Sequence, residues 1–222
     1  MRTSKLKKNL LLPRSHVIAS FEEEKRNEIL SMMRKLAPKV DGFFFRKPVI
    51  LNEGLAILSE ARKIVEKKGL ECVLIPDVRL DHRDTTPDEI RSISAIVERH
   101  GGYAITVYAV SAFHDFIDLC SRESKVKVLP IIDLGEEYAR HDFPDQSVVR
   151  MAEISAGSRC PAVIMSGRNA DRIRRVKNAG IGGLRILAYL EPSVPKGIAL
   201  ESGADFEIIP AIQSGLSAKS NA

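Results

Sequence analysis

The segment Pro76-Asp77-Val78-Arg79-Leu80-Asp81-His82-Arg83-Asp84-Thr85-Thr86-Pro87-Asp88-Glu89 carries the densest set of chemically capable side chains in this chain. Carboxylates and guanidiniums at close spacing can orient one another or grip an anion, and an imidazole titrates near neutral pH and can move a proton. Directly before them lies Cys72-Val73-Leu74-Ile75, a continuous apolar run that reads as a fully buried strand. Thr86, Pro87 and Glu89 supply the N-cap, first-turn proline and third-position glutamate that open a helix. The charges therefore occupy a strand-to-helix loop, where α/β folds keep their chemistry; the competing reading is a solvated surface loop.

The rest of the chain repeats that unit. Short apolar runs predict strands near His16–Ser20, Gly42–Phe45, Cys72–Ile75, Tyr103–Val107, Val126–Ile132, Ala162–Met165, Leu184–Ala188 and Phe206–Ile209. Amphipathic segments predict helices over Glu23–Leu36, Asn52–Lys68, Pro87–His100, Ala112–Ser121, Ser147–Gly157, Ala170–Ala179 and Pro195–Ser202. Eight strands, each followed by a helix or its remnant, on 222 residues argue for a single-domain (β/α)₈ TIM barrel over residues 16–213. A basic extension (1–15) would precede it and a small, polar, flexible tail (214–222) would follow. An open doubly wound sheet is the alternative, but Ser20-Phe21-Glu22-Glu23 after the first strand lacks the glycines of a dinucleotide fingerprint.

In a barrel, residues just past the strands converge on one face. Those residues are Arg46 and Lys47 after the second strand, the Asp77–Asp84 group after the third, and Asp133, Glu136 and Glu137 after the fifth. Arg168 follows the sixth and Glu191 the seventh. Alternation along an extended segment points Asp77 and Arg79 the same way, toward the barrel axis. Arg46, Lys47, Arg79 and Arg168 together would suit a phosphate or carboxylate, with Thr86, Tyr108 and Glu191 as further contacts. The bland alternative pairs these cations with the neighbouring carboxylates and leaves them no ligand.

Composition narrows the partners. Lys+Arg exceed Asp+Glu by 34 to 29, and much of the excess lies in Arg2, Lys5, Lys7, Lys8 and Arg14. A near-neutral body with no Trp and 5% aromatics argues against nucleic acid. Cys72, Cys120 and Cys160 are widely spaced and odd in number, which predicts buried free thiols and a reducing cytoplasm. Leu10-Leu11-Leu12 is stopped by Pro13, too short for a signal peptide, and no run reaches the length of a membrane span.

The order of segments resembles the orotidine 5′-phosphate decarboxylase family. The likeness runs through Val17-Ile18-Ala19-Ser20, Leu36-Ala37-Pro38-Lys39-Val40-Asp41-Gly42 with Pro48 and Glu53-Gly54-Leu55, Gly101-Gly102-Tyr103-Ala104-Ile105-Thr106-Val107, and Gly203-Ala204-Asp205-Phe206-Glu207-Ile208-Ile209. The resemblance implies a TIM barrel and a cofactor-independent carboxy-lyase of pyrimidine biosynthesis, turning orotidine 5′-phosphate into uridine 5′-phosphate and carbon dioxide. It also implies an anionic ligand of the nucleotide monophosphate class and a homodimer across the C-terminal face, with His82–Thr86 near the contact. The family's Asp-x-Lys-x-x-Asp motif falls on Asp77, Arg79 and His82, so only its first Asp is kept. Its Asp after the first strand falls on Phe21, its Lys after the second on Phe44, and its phosphate-gripping Arg on Ala211. Two further readings follow: Asp81, His82 and Asp84 rebuild an acid/base set with shifted spacing, or the chain is a divergent paralogue that binds another anion or serves as an interaction protein. A magnesium site is disfavoured, since Phe44-Phe45-Arg46 offers no carboxylate.

Overall fold

Parallel strands covered on both faces need apolar side chains at nearly every position, and the strands of this chain carry them. The computed structural model describes residues 15–108, 113–133 and 145–213. Its strands are β1 (Val17–Phe21), β2 (Gly42–Phe45), β3 (Val73–Pro76), β4 (Leu80–Asp81), β5 (Ala104–Tyr108), β6 (Lys127–Pro130), β7 (Ala162–Ser166), β8 (Arg185–Tyr189) and β9 (Phe206–Pro210). One sheet runs β3-β2-β1-β9-β8-β7 and the other β4-β5-β6, with every pairing parallel. The two sheets meet where the Tyr103 N–H donates to the Leu74 carbonyl at 2.7 Å and where Ile131 bridges Ile164. The strands thus curl into the (β/α)₈ TIM-barrel fold that the strand-helix alternation predicts.

Alternation sorts the side chains into two layers. Ile18, Phe44, Val73, Ile75, Leu129, Ile164, Leu187, Phe206 and Ile208 fill the barrel interior. Their neighbours in sequence, among them Ala19, Phe21, Phe43, Phe45 and Leu74, face outward and pack with Ile29, Met33, Leu58 and Val65 of the helices. Phe21 stacks on Phe43 with ring centroids 5.7 Å apart.

The helices are α1 (Arg26–Leu36), α2 (Lys47–Glu53), α3 (Ile57–Lys67), α4 (Pro87–Arg99), α5 (Phe113–Glu123), α6 (Asp145–Gly157), α7 (Ala170–Asn178) and α8 (Ile198–Glu201). The expected start of α4 holds: Thr86 accepts the Glu89 N–H, and the Glu89 carboxylate accepts from the Thr86 backbone, closing a capping box. Two expectations are corrected. The single helix expected over Asn52–Lys68 is two, because α2 starts at Lys47 and ends at Gly54, whose φ of +69° is a left-handed value that glycine takes without a Cβ penalty. The first helix begins at Arg26 rather than Glu23, because the Glu24 carboxylate accepts the N–H groups of Glu22 and Glu23 and turns that stretch before the helix can form.

All three thiols are free and buried. Burial, reinforced by nearby Cys160, pushes the Cys120 thiol up to about 12, and burial pushes Cys160 up to about 11. Such thiols are inert. Among the described residues no helix is long and apolar enough to cross a membrane. The basic extension up to Arg14, the tail from Ser214, Ala112, Glu136 and Glu137 lie outside the described residues.

Candidate functional site

The third strand position is broken, and the break builds the centre of the site. Pro76 ends β3 without an N–H to give, β4 resumes pairing at Leu80, and Arg79 between them takes a φ of +43°. That bend turns Asp77 and Arg79 together. Arg79 Nε donates to both Asp77 oxygens at 3.2 and 3.0 Å, the Thr106 hydroxyl donates to Asp77 at 3.0 Å, and Asp77 is fully buried.

The other strand ends add their mouth-facing residues by the same alternation. Interior Ile18 leads to Ser20 and Glu22, Phe44 to Arg46, Ile131 to Asp133, Ile164 to Ser166 and Arg168, Leu187 to Tyr189 and Glu191, and Ile208 to Pro210 and Ile212. All but Ser20 line one cavity of about 680 Å³, shared with Asp77, Arg79, Glu24 and Pro192. Phe44, Ile131, Ile164 and Pro210 give it an apolar floor.

Its wall is a set of ion pairs. Arg46 donates to Glu22 at 2.7 Å and to the Tyr189 hydroxyl at 2.6 Å, and that hydroxyl donates onward to Glu22 at 3.1 Å. The Arg46 guanidinium carbon lies 4.9 Å from the Tyr189 ring centre. Burial, and then the Glu22 charge, push the Tyr189 phenol well above its usual range, so it keeps its proton as a hydrogen-bond donor. Arg168 pairs with Glu191 at 2.6 Å and donates to the Ser193 hydroxyl at 2.9 Å. Asp133 accepts from Asn169 at 2.8 Å and from Arg172 at 3.4 Å. Gly167 lets β7 and β8 close up beside this wall: a Cβ there would lie 2.2 Å from Leu190 Cδ2, and its N–H donates to the Tyr189 carbonyl at 2.7 Å.

Of the residues singled out in the sequence, the cavity gathers Asp77, Arg79, Arg46, Asp133, Arg168 and Glu191 in its wall and Phe44 in its floor. The others stand elsewhere. His82 packs its ring edge-on against Phe116 of α5, 6.2 Å between centroids, with Asp81 beside it at 3.1 Å. Asp81 also accepts the Arg83 N–H, and Asp84 is exposed, so the shifted Asp81/His82/Asp84 set is not assembled in the cavity. Thr86 spends its side chain on the α4 cap, Lys47 is exposed at the start of α2, and Tyr108 packs on the interior cluster.

Two positional matches are corrected by facing. Phe21 points into the helix layer, so the mouth positions after β1 are Ser20 and Glu22, which hydrogen-bond to each other at 2.7 Å. Ala211 likewise packs outward, and Ile212 lines the cavity in its stead. Glu22, Glu24, Ser166 and Tyr189 are the wall residues that sequence reasoning passed over as site members. Counting by twos from the interior residues of each strand would have found Glu22, Ser166 and Tyr189.

The chemistry available is bounded by these groups. The described lining offers five carboxylates (Glu22, Glu24, Asp77, Asp133, Glu191) and three guanidiniums, so carboxylates outnumber cations there. Guanidiniums keep their protons at any ordinary pH, so proton transfer would fall to the carboxylates. No described lining residue is a Lys, His or Cys, and no described group of three metal-ligating side chains could hold a metal ion.

No protein-family model matches the sequence, and no curated protein matches it at a significant level. Solved structures do share its architecture. Orotidine 5′-phosphate decarboxylase from Pyrococcus horikoshii superposes with a TM-score of 0.70 at 20% identity, covering 87% of this chain and 88% of that one. The orotidine 5′-monophosphate decarboxylase of Methanocaldococcus jannaschii complexed with the inhibitor BMP gives 0.69 at 16% identity, with 88% of each chain covered. That of Metallosphaera sedula gives 0.66 at 17%, again over 88% of each. Likeness at these identities establishes a common fold.

Proposed function

We propose that the barrel mouth binds a small anionic molecule of the nucleotide monophosphate class, and that the protein is a poor decarboxylase of orotidine 5′-phosphate. The observation that carries this reading is the cavity itself: about 680 Å³ with an apolar floor and Arg46, Arg79 and Arg168 in its wall. An apolar base-sized surface beside guanidiniums suits a ligand with one flat and one charged end. The carboxylates are suited to accept hydroxyl donors of the same ligand. Likeness of fold to orotidine 5′-phosphate decarboxylases supports the choice of ligand class.

Each guanidinium is shared with a carboxylate, so an anion must compete for it. Arg168 is the easiest to engage, since its side chain is 34% exposed against 18% for Arg46 and 15% for Arg79. Calorimetry at low salt with uridine 5′-phosphate, orotidine 5′-phosphate and inorganic phosphate tests the reading. Binding should weaken by about tenfold or more in Arg168→Ala, the scale of a lost charge-assisted hydrogen bond. No heat with any of the three would overturn it in favour of self-paired charges. A homodimer across the same face belongs to the proposal, supported by Leu51 and Ile212, which are 73% and 67% exposed. Light scattering at micromolar protein should then report twice the 24.6 kDa chain mass, and a monomer would remove that part.

A further inference from the structure

We infer that Thr106 is a positioning residue of the mouth, holding Arg79 and Asp77 in the one arrangement that aims the Arg79 guanidinium; the inference rests on the ligand reading above for its functional meaning. Thr106 is the polar member of an otherwise apolar inner strand face, fully buried on β5 between Ala104 and Tyr108. Its hydroxyl oxygen accepts the Arg79 backbone N–H at 2.9 Å, and its proton goes to Asp77 Oδ1 at 3.0 Å.

Both bonds fall where the sheet fails. β3 ends at Pro76 and β4 begins at Leu80, so Arg79 lies between the two strands, and its N–H goes to the Thr106 hydroxyl. Arg79 also has a φ of +43°, a conformation disfavoured for a side chain with a Cβ, which persists only where the surroundings over-determine it. The described restraints include the Thr106 bond to its N–H, the Asp77 clamp on its Nε, and β4 pairing immediately after it. The clamp depends on Thr106 in turn, because the same hydroxyl fixes the Asp77 carboxylate. One hydroxyl therefore sets both members of the pair.

Thr106→Val keeps the shape and removes both bonds, while Thr106→Ser keeps the hydroxyl and drops only a methyl. The direct readout is the Nε–H resonance of Arg79 in a ¹⁵N spectrum, identified by its disappearance in Arg79→Lys. It should be sharp and slow to exchange in the wild type and in Thr106→Ser, and lost to exchange or shifted to the solvent-exposed arginine position in Thr106→Val. In parallel, affinity for uridine 5′-phosphate should fall by about tenfold in Thr106→Val and recover in Thr106→Ser. An unchanged Arg79 resonance in folded Thr106→Val, or its loss in Thr106→Ser, would overturn the inference. Should Thr106→Val not fold, the Thr106→Ser resonance decides alone, since retention with the methyl gone assigns the positioning to the hydroxyl. If the wild type binds no nucleotide, the ligand reading fails while the resonance still decides the role of Thr106.

Discussion

Mixed with orotidine 5′-phosphate, the purified protein is expected to release carbon dioxide at a rate orders of magnitude below the roughly 10 per second of an ordinary enzyme. The family reaction, as the resemblance implies it, needs a Lys set between carboxylates to protonate a carbanion. Here the described cavity lining holds no Lys: the inward residue of β2, Phe44, is buried in the floor among Ile18, Ile75 and Ile131, and the mouth residue after it is Arg46. Arg79 supplies positive charge, but its proton is held too tightly to be given up. Removing one preorganised charge partner costs on the order of 10²–10³-fold in rate, and the resemblance puts Arg79 and Phe44 where the family would have its Lys residues. Arg79→Lys alone should therefore not restore turnover. A lysine there would still stand in a cavity whose floor carries Phe44, with no second amine in the described lining. Near-ultraviolet absorbance of the substrate reports the outcome. A wild-type rate near 10 per second would sink this expectation and direct mutation to Asp77 and Asp133, the buried carboxylates of the cavity.

The sequence made the barrel legible because its signals are local. Runs such as Val163-Ile164-Met165 and Leu187-Ala188 have no polar residue to spare, and every one of the eight predicted strands is present within a residue or two. The capping box at Thr86 was readable for the same reason, since all its partners lie within four residues. What escaped was set by single residues whose conformation only the fold reveals. Gly54 could have been an interior helix glycine, and its left-handed φ is what splits α2 from α3. The break after Pro76 was readable as a strand end, but the resumption at Leu80 depends on pairing with Val107, far away in the chain.

The site was legible in part for a related reason. Alternation along an extended segment put Asp77 and Arg79 on one side; they do pair, but through the bend at Arg79 and not through an extended strand. The resemblance put Phe21 where the family carries an Asp after its first strand, whereas the pleat carries Phe21 outward and Glu22 inward. His82 looked catalytic by type, yet β4 hands it to the helix side, where Phe116 covers its ring. Composition counted cations along strand ends, but the carboxylates that pair with them come from different strands, as Glu22 does for Arg46 and Glu191 for Arg168. Such cross-strand pairs leave no mark in sequence spacing.

The largest stability effect is expected far from the mouth, at Glu207. It lies on β9 one residue before interior Ile208, so it points outward beneath the helices, and only 2% of it is exposed. A buried carboxylate must be hydrogen-bonded to persist, and this one accepts the Gly197 N–H on both oxygens at 2.9 Å and the Ala199 N–H at 3.1 Å. Those are the donors that open α8, a helix of only four residues that no side chain from its own N-cap secures. Glu207 is thus what fastens the last helix to the barrel, and Gly197, with a φ of +89°, is bent to meet it. Glu207→Ala leaves the buried Ala199 N–H and the half-buried Gly197 N–H without their acceptor, together with a cavity, and should cost about 3 kcal/mol in urea unfolding. Glu207→Gln keeps one acceptor oxygen and should cost about half of that. Because the residue pairs in register with Val17, at the end of β1 away from the mouth, nucleotide affinity should not change in either variant. A loss below about 0.5 kcal/mol for Glu207→Ala, the size of an ordinary surface substitution, would show that α8 is held by its apolar contacts instead.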